Sequence, residues 1–191
     1  MQDFSLATVK ESGIPVDEDT KLVLEAQGDP AAFQALYDRW AVRVYQYFYH
    51  RTGDTDSSED LTSQLFLAAY QSLPRYRHHG HFAPWLFTIA RNLFNEYYRK
   101  RKREVPLEMA QNLVASIDPV ADSAHADEIQ RLIKLVRSLP EQEQELIRLR
   151  YVVELPFADM AILLNKREAA VKKSLYRLQA RLQGLLEGKN E

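Results

Sequence analysis

The stretch "FAPWLFTIARNLFNEYYRKRKR", residues 82–103, decides how this chain is read. At about 100° per residue, Trp85, Leu86, Ile89, Ala90, Leu93 and Tyr97 share one side of a helix. Thr88, Arg91, Asn92, Asn95, Tyr98, Arg99 and Lys102 share the other. A face that is merely solvated more often carries Glu and Lys four residues apart. This one mixes Arg, Asn and Tyr, which bond phosphates, bond base edges and stack on unpaired bases. The run Arg99–Arg103 continues the face as a phosphate clamp, with a nuclear-localisation signal as the competing reading of "RKRKR".

Outward from this helix the charges sort by segment, although the net charge of −2 hides it. Residues 1–29 are acidic, with only Lys10 and Lys21 as cations, and from Arg75 to Arg103 the sole acid is Glu96. From Val105 to Gln130 there is no Lys or Arg, whereas Lys166 to Arg181 is basic against the single acid Glu168. Two basic patches separated by an acidic connector point to nucleic acid where the total charge does not.

The 191 residues, 46% hydrophobic and 27% charged, suit one large or two small soluble domains. There is no cysteine, which excludes disulfides and thiolate metal sites and fits a reducing compartment. The start, "MQDFSLATVKESGIPVDEDT", lacks the basic and apolar regions of a signal peptide. The longest nearly apolar stretch, Phe82 to Ala90, is too short to span a bilayer. The expectation is a soluble, cytoplasmic protein without membrane insertion.

Helical periodicity runs through both halves and no stretch alternates as a strand. Helices are expected near 18–27, 29–51, 56–73, 83–103, 126–137, 140–152, 156–164 and 167–187, separated by breakers such as "TGDTD" and Pro156. The fold class is all-α. Two helical domains, 18–104 and 126–188, are joined by a flexible, acidic linker over 105–125, and residues 1–17 form an N-terminal extension. In the last helix, Val171, Leu175, Leu178, Leu182, Leu185 and Leu186 form a core stripe. Lys172, Lys173, Tyr176 and Arg177 lie opposite, with Arg181 near them. Upstream, Phe157, Met160, Ala161 and Leu164 point inward from a short helix that turns at Asn165. That is the layout of a helix-turn-helix, whose second helix enters the DNA major groove. An antiparallel helical pair with a solvated basic face fits the hairpin equally well.

"RYRHHGH", residues 75–81, precedes the first basic helix. Its His78, His79 and His81 lack a carboxylate or cysteine nearby, so a basic loop touching a DNA strand is the better reading than a metal site. No Gly-rich phosphate loop, nucleophile elbow or metal-ligand spacing is present, and neither catalysis nor a cofactor is expected.

"GDPAAFQALYDRW", "SSEDLTSQLFLAAY", "FAPWLFTIARNLFNEYYRKRKR" and "LPEQEQELIRLRYVVELPFADMAILL" followed by "AAVKKSLYRLQARL" occur in this order. Together they resemble the compact extracytoplasmic-function (ECF) class of bacterial RNA polymerase sigma factors, of the sigma-70 family, from about residue 18 to 187. The resemblance implies a promoter-melting domain two and a helix-turn-helix domain four. It implies a promoter-specificity subunit, not an enzyme, whose partners are core RNA polymerase and promoter DNA, duplex at the −35 element and single-stranded at −10. Core-polymerase contacts carry over to Glu59, Asp60, Leu61, Gln64, Phe66 and Leu67. Contacts to the −10 strand carry over to the loop residues Arg75, Arg77, His78, His79 and His81, and to Arg91, Asn92, Asn95, Tyr98, Arg99, Arg101 and Lys102. Reading of −35 carries over to Arg167, Lys172, Lys173, Tyr176, Arg177 and Arg181. Trp85 is expected to be a core anchor, and an anti-sigma factor is a partner that many family members have.

The resemblance also implies that the linker threads toward the RNA exit path, where a segment without cations would imitate the charge of RNA. Two departures matter. Gln64 replaces a common acid of the polymerase-binding helix. Asn165, Lys166 and Arg167 replace a common turn glycine and Ser or Thr cap, whose loss costs about 1 kcal/mol. Separately, Ala169 and Ala170 give the helix start no hydrogen-bonding side chains for bases, so −35 reading rests on Lys172, Lys173 and Arg177 or is less selective than in relatives. Two rivals remain: a stand-alone helix-turn-helix regulator, and a sigma-like interaction module with weakened promoter reading.

Overall fold

The computed structural model describes residues 16–77, 80–104 and 126–188. Among these, regular structure is entirely helical. The N-terminal unit holds α1 (Val16–Gly28), α2 (Phe33–Thr52), α3 (Thr55–Ser72) and α4 (Phe82–Glu104). Short 3₁₀ turns at Pro30–Ala32 and Leu73–Arg75 bend the chain between them. The C-terminal unit holds α5 (Ala126–Arg137), α6 (Glu141–Ile147), α7 (Phe157–Leu164) and α8 (Glu168–Glu187). The expected linker, 105–125, lies outside the described residues, as do residues 1–15.

The N-terminal bundle follows from heptad-like apolar spacing. Leu36, Trp40, Val44, Tyr47 and Phe48 are buried along α2, against Leu61, Leu65, Phe66 and Ala69 of α3. Trp40, at 2% exposure, stands edge-on to Phe87 and tilted to Phe82, with centroids 6.0 and 6.2 Å away. The α2–α3 corner is made by Gly53 at φ 67°, a left-handed position that glycine adopts without strain, and by Asp54, whose carboxylate caps α3 by accepting from Ser57 N at 2.8 Å.

In α4 the deepest positions are Phe82, Ala83, Leu86, Phe87, Ala90 and Phe94. Leu86 and Ala90 were expected there, but Trp85, Ile89 and Leu93 are only half-buried. The apolar band is wider than one stripe because α4 packs on α3 on one side and on α7 of the C-terminal unit on the other. Trp85 anchors an aromatic cluster, 4.7 Å from the Tyr76 ring and 5.4 Å from Phe82.

The expected helix over 140–152 is α6 continued by a π-helical stretch, Arg148–Val152, in which Val153 N bonds Arg148 O at 3.0 Å. Each hydrogen bond of such a stretch spans one residue more than in an α-helix. In α8, Val171, Leu175, Leu178 and Leu182 are buried as expected, whereas Leu185 is 43% exposed where the helix outruns its support. The two units do not stand apart. A single buried cluster runs from Val23 through Leu86 and Phe94 to Leu146, Met160 and Leu175.

Candidate nucleic-acid interface

The first basic face is α4 with the loop before it. Asn92, Asn95 and Arg99 are exposed and line an open groove with Ile89, Leu93 and Glu96. Tyr98, 45% exposed, stacks on Phe94 at 6.3 Å and 19°, so that a buried ring holds its own ring in place. A ring presented in this way is a platform for an unpaired base. Arg75, Arg77 and Lys102 are exposed, and Glu96 holds Lys100 at 2.8 Å. Arg101 is placed differently from the expectation. It donates to Tyr97 Oη and lies over the Tyr97 ring, while Tyr97 donates to Ser57 Oγ at 3.0 Å, so Arg101 braces α4 on α3. His78 and His79 lie outside the described residues.

Two members of this set are occupied from the far unit. Arg91 Nη1 donates to the Leu163 carbonyl at 2.9 Å, and its Nε lies 3.8 Å from Glu145. His81 Nδ1 meets Asp159 Oδ1 at 3.2 Å, a carboxylate whose pKa burial pushes up and His81 partly pulls back. Among the described residues no group of three or more His, Asp or Glu is arranged to hold a metal.

The second basic face is α8. Asn165 sits at φ 51° and ψ 49°, and Lys166 N reaches back to Ala161 O at 2.9 Å. This is the left-handed helix end that asparagine tolerates, so the chain turns without the glycine. Arg167 occupies the cap position of α8 with no side-chain cap bond. Glu168 in the first turn suits the positive helix end and holds Lys172 at 2.7 Å, with Lys172 Nζ also 5.4 Å over the Phe157 ring. Arg181 pairs with Glu143. Of the residues expected to read −35, Lys173, Tyr176 (58%) and Arg177 are exposed, with Arg167 beside them.

The residues expected to contact polymerase divide in the same way. Glu59, Asp60 and Gln64 are exposed, with Gln64 donating to Asp60 at 2.8 Å, and Leu67 is 58% exposed. Leu61 and Phe66, at 2% and 5%, face the bundle interior and are unavailable to a partner, because the apolar phase of α3 turns them toward α2. Tyr37 and Tyr70, 40% and 44% exposed, widen the apolar part of this surface. The sequence reading passed over both, although their spacing from Phe33 and Phe66 on α2 and α3 carried the signal.

It also passed over a third constellation. Arg43, Tyr47 and Arg51 recur every four residues along α2 and face the C-terminal unit. Tyr47 Oη donates to Glu145 at 2.9 Å, Arg51 meets Glu141 at 2.8 Å and Glu145 at 3.6 Å, and Arg43 meets Glu154 at 3.4 Å. Burial, then the neighbouring Glu145, raises the Tyr47 pKa well above its usual value, which keeps the hydroxyl protonated as a donor.

Comparison with known proteins agrees with both units. Residues 36–104 match Sigma-70 region 2, and residues 129–182 match Sigma-70, region 4. The ECF RNA polymerase sigma factor SigM of Bacillus subtilis (strain 168) is 33% identical over 153 residues, covering 78% of this chain and 92% of that protein. The ECF RNA polymerase sigma factor BldN of Streptomyces coelicolor is 33% identical over 171 residues, 87% of this chain; this chain spans 65% of BldN. Two solved structures share the fold at 23% identity. CnrH in complex with the cytosolic domain of CnrY covers 89% of this chain and 97% of its own, with a TM-score of 0.64. The sigma factor RpoE with the anti-sigma factor NepR from Bartonella quintana covers 81% and 96%, with a TM-score of 0.63.

Proposed function

Because the chain belongs to the ECF class of the sigma-70 family, we propose that it is a promoter-specificity subunit that binds core RNA polymerase and directs initiation from −35 and −10 elements. The observation that carries this reading is the pair of basic helical faces, one on each family-matched unit. α4 presents Asn92, Asn95, Tyr98 and Arg99, and α8 presents Lys173, Tyr176 and Arg177. Unstacking a base costs a few kcal/mol, and stacking on an aromatic ring returns about 1–3 kcal/mol per base. Tyr98, held by Phe94, serves that purpose. Phosphate contacts from Arg75, Arg77, Arg99 and Lys102 add affinity that falls steeply with salt.

Glu59, Asp60, Gln64 and Leu67, flanked by Tyr37 and Tyr70, form the polymerase-docking surface in this proposal. The linker contributes charge that imitates RNA. The protein is non-catalytic, and the chemistry of RNA synthesis stays with the polymerase. It works in the cytoplasm, and among the described residues no helix is long and apolar enough to cross a membrane. An anti-sigma factor is a proposed regulatory partner.

Run-off transcription on fragmented DNA of the source genome, with purified bacterial core polymerase, tests the function. Discrete transcripts that depend on this protein are expected, and their upstream sequences give both elements. Core binding without transcripts would favour the interaction module instead. That second reading draws on one observation: α8 starts without a side-chain cap, and Lys172 is tied to Glu168. Alanine at Lys172, Lys173 and Arg177 separates the two, since promoter activity that survives unchanged argues against −35 reading by α8.

A further inference from the structure

The basic loop that leads into α4 leaves the bundle from a fixed point, and α1 fixes it. The Gln27 side-chain amide donates through its one nitrogen to two main-chain carbonyls, Leu73 O at 2.9 Å and Tyr76 O at 2.7 Å. These oxygens lie 46 and 49 residues further along the chain and bracket the 3₁₀ turn Leu73–Arg75. A primary amide carries two hydrogens on one nitrogen and bonds both carbonyls at once.

Both sides of this clamp are held in turn. Within one turn of Gln27, Val23 and Ala26 are buried, and Arg39 of α2 meets Glu18 at 2.9 Å and Asp19 at 2.7 Å. α1 is thereby pinned on α2 before it reaches the loop. On the loop side, Leu73 is buried, Pro74 fixes its own φ, and Tyr76 N donates back to Leu73 O at 3.0 Å. The Tyr76 ring lies 4.7 Å from Trp85 and 6.2 Å from Phe82, both in α4.

Tyr76 is therefore held twice, by its carbonyl on α1 and by its ring on α4. Arg75 and Arg77, exposed on either side of it, inherit that placement. Without the amide, two carbonyls turned toward α1 lose a donor, and the turn rotates toward water to satisfy them. Arg75 and Arg77 then shift relative to Asn92, Asn95 and Tyr98 of α4. None of the residues expected to touch DNA or polymerase lies in α1, yet this helix sets where the loop starts.

We propose that Gln27 is a positioning residue for the −10 strand: from α1 it sets Arg75 and Arg77 in place for the strand's phosphates. The role given to the two arginines rests on the sigma-factor reading; the clamp itself does not.

The test uses holoenzyme reconstituted from the full chain and purified bacterial core polymerase. The probe is a fluorescein-labelled promoter duplex, mapped by the run-off assay and premelted across its −10 element. Affinity is measured over a range of salt for the parent, Gln27→Leu, Gln27→Glu and the pair Arg75→Ala with Arg77→Ala. Gln27→Leu removes the donors, and Gln27→Glu keeps the shape while setting acceptors against the carbonyls. Circular dichroism reports folding, and either variant serves if the other unfolds. Each is expected to weaken binding about threefold or more at fixed salt, the equivalent of one modest hydrogen bond. Each is also expected to lower the slope of log affinity against log salt by about 1, as lost contacts to single-strand phosphates do. In the arginine-free background the Gln27 substitutions should add little.

A merely structural role lowers the active fraction and leaves the salt slope alone, so an unchanged slope overturns the proposal. Effects that add in full to those of the arginine substitutions overturn it as well. Absence of transcripts from the parent holoenzyme would instead remove the sigma reading and, with it, the role given to Gln27.

Discussion

Asn165 shows how much one backbone angle decides. With φ at 51° it holds the turn between α7 and α8, and a β-branched residue there meets a steric cost of about 1–2 kcal/mol. Asn165→Val is therefore expected to lower stability by about that amount in urea titrations, while Asn165→Gly leaves the midpoint close to the parent value. A parent-like Asn165→Val midpoint would show that the turn relaxes. Asp54→Ala, which deletes the α3 cap, is expected to cost about 1 kcal/mol by the same measurement. Both residues were readable beforehand, since Asn and Asp at helix ends have local roles. Glu145 was not. Its sequence neighbourhood marks an ordinary acid near a helix start, and only the fold buries it at 6% exposure among partners on α2 and α4.

The elements themselves were mostly legible, because each carries its own apolar period and breakers, although the helix expected from 29 starts at Phe33 behind a 3₁₀ turn. α5 lies at 126–137 as expected, and α8 differs from its expected range by one residue at its start. What the period could not give was the second buried side of α4. Phe87 and Phe94 belong to it, and Phe94 is covered by the Arg51 guanidinium at 3.9 Å. The π-helical stretch facing α2 has a further consequence at His50. Burial first, and then the Arg148 charge, lower its pKa below the ordinary value of 6.5. The folded chain thus prefers neutral His50, and as pH falls through about 6.5 the unfolded chain takes up the proton first. Stability contributed by this residue is present above that pH and lost below it. Urea midpoints are expected to fall between about pH 7.5 and about pH 5.5, with a shallower fall in His50→Gln. Equal slopes for the two proteins would remove His50 from the account.

At the scale of the molecule, two domains were foreseen but their docking was not. The bonds that join them link residues 90, 98 and 111 positions apart, a separation at which periodicity carries no signal. One buried cluster crosses the junction, so heat should unfold the described units together. Calorimetry on the full chain is expected to give a single transition with matching calorimetric and van't Hoff enthalpies, and two resolved transitions would show that the units melt independently. Since the cluster has members on both sides, Leu149→Ala, at a fully buried site, should lower that one transition as a whole. The expected cost is about 2–5 kcal/mol.

The wide turn at Arg148–Val152 sets an angular phase. Each helical residue rotates the downstream chain by about 100° and advances it by about 1.5 Å. Were the same five residues wound as an ordinary α-helix, α7 and α8 would swing about a quarter-turn around the axis of α6. Asp159 and Leu163 would then leave His81 and Arg91, although no junction residue had been replaced. The winding of this turn thus holds the two basic helices against each other, although none of its side chains is proposed to touch DNA.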